Sequence, residues 1–141
     1  MSYGAFAKQA ARYREAEVLS ASPAQLIVIV YEHLLINLRR ARLQLADADA
    51  AARSDSLDRA RAALTELLVS LDEEKGGDLA VRLRAIYVFF LSELTTLGVK
   101  PSGERLDAII KLAGELHEAF VQVARTTATT PANATAAVAA S

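Results

Sequence analysis

Apolar residues recur every three or four positions in four stretches of the chain, a spacing typical of amphipathic α-helices. Each stretch is long enough for several helical turns, and the connections between the stretches are short. Four such helices predict an all-α fold, an antiparallel up-down four-helix bundle. In chain order, the rows are Ile27, Val30, Leu34, Leu38, Ala41 and Leu45; Leu57, Ala60, Leu64, Leu67 and Leu71; Leu79, Leu83, Ile86, Phe90, Leu94 and Leu97; and Leu106, Ile109, Ala113, Leu116, Phe120 and Val123.

Local signals predict where these helices begin and end. Ser22 and Gln25 have the spacing of a capping box, and Pro23 between them suits the first helical position. The second helix is expected from about residue 54 to the glycine pair at 76–77, and the third after a cap at Asp78. The fourth is expected from about residue 104 to residue 125, after the Gly/Pro-containing turn at 98–103.

Two segments flank the predicted single domain of residues 1–125. Residues 1–21 form an N-terminal arm with Tyr3, Phe6 and Tyr13, and aromatic side chains gain free energy by burial. We therefore expect the arm to pack weakly on the bundle. A more specific form of this hypothesis places the arm over a binding groove. Residues 126–141 consist of Ala, Thr, Pro and Asn with one Val and a final Ser, and this uncharged composition predicts a disordered tail.

The first and third helices hold more apolar residues than one bundle-facing row needs. Leu26, Ile29, Leu35 and Ile36 widen the row of the first helix, and residues 87–91 are apolar on more than one face of the third. Such a surplus indicates either a wider core or an exposed groove that receives a partner. Periodicity alone leaves both interpretations open.

Composition narrows the function classes. Lys and Arg total 16 against 17 Asp and Glu, which argues against nucleic acid as the main partner, and the chain has no cysteine. No signal peptide, membrane-spanning stretch, catalytic motif or metal-ligand spacing is found, so we expect no enzyme activity and no cofactor or metal. The cluster Arg39, Arg40 and Arg42 fits a solvated helix face, or an acidic partner.

Several segments together resemble the FliS family of flagellin-specific export chaperones. The stretch 21–27 (Ala-Ser-Pro-Ala-Gln-Leu-Ile), followed by Tyr31-Glu32, is similar to the family signature, and Tyr13 precedes it where the family carries a tyrosine. Segments 70–80, 86–87 and 115–120 match further motifs in order, so the resemblance covers about residues 10–125. His33 stands where the family usually has glycine, and Phe120 where it has tryptophan.

The resemblance implies a cytoplasmic chaperone. It would bind the disordered C-terminal segment of flagellin, prevent premature polymerisation and aid delivery to the flagellar type III export apparatus, with export gate components as further partners. The alternatives are a structural helical-bundle adaptor for another amphipathic helix and a metal or cofactor carrier, for which the ligand residues are missing. Our candidate partner-binding residues, any of which could instead belong to the core, are Tyr13, Leu26, Ile29, Tyr31, Leu71 and Tyr87.

Overall fold

The computed structural model describes residues 3–129, apart from the side chains of residues 3, 6, 14, 16–20 and 127–129. The described residues form five helices, so the prediction of an all-α fold is confirmed. Among residues 3–129, none of the helices combines the length and the hydropathy that a membrane span requires. The helices are α1 (Tyr3–Ser20), α2 (Pro23–Gln44), α3 (Ala50–Ser70), α4 (Glu73–Val99) and α5 (Gly103–Thr129).

Helices α2 to α5 form the predicted antiparallel four-helix bundle. Helix α2 packs against both α3 and α5, and α3 packs against α4. An ion pair between Arg42, near the end of α2, and Asp107, near the start of α5, spans 2.8 Å and reflects their antiparallel course. Glu93 and Arg105 form an ion pair between α4 and α5. Helices α2 and α4 therefore occupy opposite corners of the bundle.

The core is built from the predicted rows. Leu34, Leu64, Phe90 and Leu94 are fully buried, and most other members of the rows are either buried or packed against this cluster. Leu79 is the main departure, because it lies just after a kink in α4 and remains 47% exposed. Burial of one leucine contributes about 1.5–3 kcal/mol, so the aligned rows supply the main driving force for assembly.

The start of α2 has the predicted capping box. The Gln25 backbone N–H donates to the Ser22 hydroxyl at 3.2 Å, and the Ser22 backbone N–H donates to the Gln25 side-chain oxygen at 2.8 Å. Pro23 follows the cap at the first helical position, where a missing N–H costs nothing. These hydrogen bonds satisfy two backbone donors that a helix N-terminus otherwise leaves unpaired.

The connections around α3 differ from the prediction. Helix α3 begins at Ala50 rather than near residue 54, because the Asp49 carboxylate accepts a hydrogen bond from the Ala52 N–H at 3.0 Å. It ends at Ser70, before an extended Leu71, and Asp72 rather than Asp78 caps α4. The predicted glycine stop lies inside α4, where Gly77 has a φ of 55° and produces a kink.

The two flanking segments also differ from the prediction. The arm is itself a helix, and every α1 side chain that the structure describes is exposed, including Tyr13 at 72%. Tyr13 therefore does not pack on the bundle, while the side chains of Tyr3 and Phe6 lie outside the description. Helix α5 continues to Thr129, since no glycine or proline interrupts residues 126–129. The rest of the predicted tail, residues 130–141, lies outside the described residues.

Replacing Ser22 with alanine should destabilise the protein by about 0.5–2 kcal/mol, because the change removes the side-chain acceptor of the α2 cap. Urea unfolding followed by circular dichroism measures the difference. Ser54→Ala, at an exposed position in α3, is the matched control and should change stability by less than about 0.5 kcal/mol. Equal stabilities of the two variants would contradict the role assigned to the cap.

Candidate partner-binding surfaces

A groove between α2 and α3 is the first candidate surface. It encloses about 370 Å³ and opens to solvent. Alanines at positions 62 and 63 of α3 leave space opposite Ile36, which is 38% exposed. An apolar side chain from a partner could therefore enter between the two helices. The residues that line the groove are His33, Ile36, Asn37, Arg40, Arg59, Ala62, Ala63 and Glu66.

The apolar character of this surface extends along α2 beyond the groove. Ile29 and Leu43 lie seven residues before and after Ile36, so all three share one side of the helix. Leu43 is 71% exposed, and Ile29 is partly exposed. Leu26 is 38% exposed and lies seven residues before His33, a groove residue. From Ile29 to Leu43, helix α2 thus carries an apolar strip of side chains outside the core along about four turns.

The outer face of α4 is the second candidate surface. Val81, Val88 and Phe89 are 54%, 49% and 54% exposed, and their spacing places them on the side of α4 that faces away from the core. From Ala85 to Val99 the outward positions carry no charge, since they are occupied by Ser92, Thr95 and Thr96 as well as apolar residues. A helix face without charges is unusual on a surface exposed to water, and it suits an apolar partner.

The six predicted site residues do not form one cluster. Leu26 and Ile29 lie on the apolar strip of α2, and Tyr13 is exposed on α1. Leu71 is partly buried against the core and lines a separate hollow of about 610 Å³ at the α3–α4 junction. Of the six residues, only Leu26 and Ile29 therefore lie together on one surface.

Tyr31 and Tyr87 require a correction, because they are only 0% and 1% exposed and cannot meet a partner directly. Their hydroxyl groups form a hydrogen bond of 2.7 Å between α2 and α4, across the centre of the bundle. Phe120 stacks on Tyr31 with a centroid distance of 5.3 Å, so the aromatic replacement of the family tryptophan is packed against the core. Both tyrosines are therefore core residues, the alternative that the sequence left open for every candidate.

Burial changes the acidity of this tyrosine pair. Desolvation, together with the neighbouring Tyr87, raises the pKa of Tyr31 far above its ordinary value. Desolvation also raises the pKa of Tyr87, although the hydrogen bond with Tyr31 acts in the opposite direction. Both hydroxyls therefore stay protonated at neutral pH and above, which preserves the hydrogen bond between them.

Sequence reasoning missed several residues of the two surfaces. Arg59, Ala62 and Glu66 enter the groove only because the register of α3 against α2 brings them opposite Ile36 and Arg40. The apolar run 87–91 includes Phe89, but its composition alone does not show that this side chain is exposed. The periodicity carried a usable signal here, since Val81, Val88 and Phe89 fall outside the bundle-facing row of α4.

The fold and the surfaces define a class: a helical-bundle binding protein that presents open apolar faces to a partner. Residues 6–127 match the family model described as flagellar protein FliS. The chain is 31% identical to the flagellar secretion chaperone FliS of Salmonella typhimurium over 110 residues, which cover 77% of this chain and 82% of that protein. It is 30% identical to the Campylobacter jejuni chaperone of the same name over 72% of this chain and 80% of that one.

The chain belongs to the FliS family. FliS is a family of flagellar secretion chaperones and not of enzymes, which agrees with the absence of catalytic motifs from the sequence.

Replacing either tyrosine of the core pair with phenylalanine should cost about 1–3 kcal/mol, because the remaining hydroxyl loses its partner while it stays buried. The double variant should be more stable than either single variant, since no unpaired hydroxyl remains. A double-mutant cycle from urea unfolding measures this coupling, with Tyr13→Phe as the exposed control. Additive losses would contradict a paired role.

The same cycle has a pH dependence. The folded protein retains both protons above pH 10, where an unfolded tyrosine releases its own. The stabilisation linked to the raised pKa values is therefore complete below about pH 10 and lost as the pH rises further. The double phenylalanine variant should lose less stability than wild type in that range.

Proposed function

We propose that this protein is a cytoplasmic export chaperone for flagellin. It binds the disordered C-terminal segment of flagellin and prevents premature polymerisation. It also aids delivery of flagellin to the flagellar type III export apparatus, whose export gate components are further partners. Membership of the FliS family supports a secretion substrate as the partner. The main structural support for this client is that two apolar surfaces, on different sides of the bundle, are uncovered.

The position of the surfaces favours a flexible client. Helices α2 and α4 occupy opposite corners, and the exposed residues of each point away from the core, as Ile36 and Phe89 illustrate. A compact partner can cover one such surface but not both. A disordered segment can follow the bundle and form an amphipathic helix at each surface, a recurrent mode of peptide recognition.

The energetics are compatible with this mode of binding. Ordering a disordered segment costs about 2–5 kcal/mol or more. Apolar burial contributes about 25 cal/mol per Å², so two surfaces that each bury a few hundred Å² offset this cost. The formal net charge of the chain is only −1, so it gives no general electrostatic attraction or repulsion. Salt should therefore weaken binding only modestly.

Helix α1 provides a third contact. Tyr13 exposes 72% of its surface in the free chain, although an aromatic ring gains free energy by burial. Because only residues 21–22 separate α1 from α2, Tyr13 lies on a segment tethered to the start of α2, the end that carries Leu26 and Ile29. We assign Tyr13 to the client-binding residues together with Leu26 and Ile29.

Charge substitutions at the two surfaces test the proposal. Ile36→Glu and Phe89→Glu should each raise the dissociation constant for flagellin at least tenfold, because each places a carboxylate against an apolar part of the client. Titration calorimetry measures binding, and thermal unfolding checks that the bundle is intact. Ala108→Glu, at an exposed position of α5, is the matched control and should leave binding unchanged. Wild-type affinity in both surface variants would contradict the proposal.

A further inference from the structure

The groove between α2 and α3 has opposite charges at its two ends. Arg40 lines one end and forms no ion pair with any residue in the described part of the chain. Arg59 at the same end is paired with Asp55 at 3.3 Å. Glu66 lines the groove as well and is likewise without an ion pair among residues 3–129. One free cation and one free anion therefore remain available to a bound segment.

The register of the helices fixes where these charges lie. Gln44 of α2 and Ser56 of α3 are joined by a hydrogen bond of 2.8 Å, and the two helices run antiparallel. Residues closer to the N-terminus of α2 therefore lie beside residues closer to the C-terminus of α3. Arg40 falls level with Arg59 by this count, and Glu66 lies level with the turn that contains His33. The two free charges are separated by about 10 Å, roughly two turns, with Ile36 between them.

A helix that binds in this groove experiences that charge difference along its own axis. The C-terminal end of a helix carries a partial negative charge and the N-terminal end a partial positive charge. The favourable arrangement places the client C-terminal end toward Arg40 and its N-terminal end toward Glu66. Because α2 runs from the level of Glu66 to Arg40, this client helix is parallel to α2.

We propose that the groove selects an amphipathic helix in one direction, parallel to α2, by pairing Arg40 with a client carboxylate. The client chemistry follows from the spacing. An apolar side chain that enters beside Ile36 is followed, three or four residues later, by an Asp or Glu that reaches Arg40, because residues at this spacing share a helix face. This inference rests on the proposed function, since it specifies how the same surface recognises the direction of its client helix.

Adjacent arginines on α2 supply a matched test of the charge contact. Arg40 lines the groove, whereas Arg39 is also exposed and unpaired among the described residues but does not line it. Arg40→Glu and Arg39→Glu change the net charge equally. At about 0.15 M salt, where charges are screened over about 8 Å, Arg40→Glu should weaken flagellin binding about tenfold and Arg39→Glu less than about threefold. Equal effects of the two variants would overturn the pairing.

The direction of the client is tested by cross-linking, which the absence of cysteine from the chain makes straightforward. Leu43→Cys, 71% exposed, lies one turn beyond Arg40, and Val69→Cys, 79% exposed, lies one turn beyond Glu66. The probe is full-length flagellin with a single cysteine moved along its C-terminal segment. Flagellin positions that form a disulfide with Val69→Cys should precede, in flagellin sequence, those that react with Leu43→Cys.

The reverse order of cross-links would overturn the proposed direction, and so would cross-links to only one of the two positions or to neither, provided that wild-type protein binds flagellin. A wild-type chain that fails to bind flagellin would instead contradict the proposed function, so the two failures are distinguishable. Arg40→Glu combined with Glu66→Lys keeps the net charge and reverses the charges of the groove. This double variant should abolish the preference for the first order.

Discussion

A helix at the corner of a four-helix bundle turns only part of its circumference toward the core, and this geometric constraint governs the whole structure. Helices α3 and α5 match it, because their large apolar residues fall mainly on the bundle side. Helices α2 and α4 carry a second set of apolar residues that the same rotation directs outward, including Ile36, Val88 and Phe89. The core cannot use these side chains, so they remain available for binding.

The rotation of α2 and α4 is held by the centre of the bundle. The hydrogen bond between Tyr31 and Tyr87 connects the two helices directly, and rotation of either would break it and leave two buried hydroxyls unpaired. The packing of Phe120 on Tyr31 adds a contact from α5. The buried aromatic cluster thus determines which residues face outward, although it makes no contact with a partner itself. In this sense the two tyrosines are linked to binding through the fold.

The sequence predicted the features that depend on neighbouring residues. The core rows follow from helical periodicity, and the Ser22–Gln25 cap follows from a local pair of hydrogen bonds. The boundary before α4 was predicted only in part: Gly77 does interrupt the helix with a kink, but the cap is Asp72 rather than Asp78 and lies ahead of the glycine pair. Prediction failed where distant segments meet. The partners Tyr31 and Tyr87 are 56 residues apart, and only the register of α3 places Arg59 and Glu66 in the groove.

The most direct test of flagellin binding compares full-length flagellin with flagellin that lacks its C-terminal segment, each titrated against this protein. We expect saturable binding of full-length flagellin, with a negative heat-capacity change from apolar burial, and a loss of binding on truncation. Equal affinity for the two forms, or no binding to either, would contradict a chaperone that recognises the C-terminal segment.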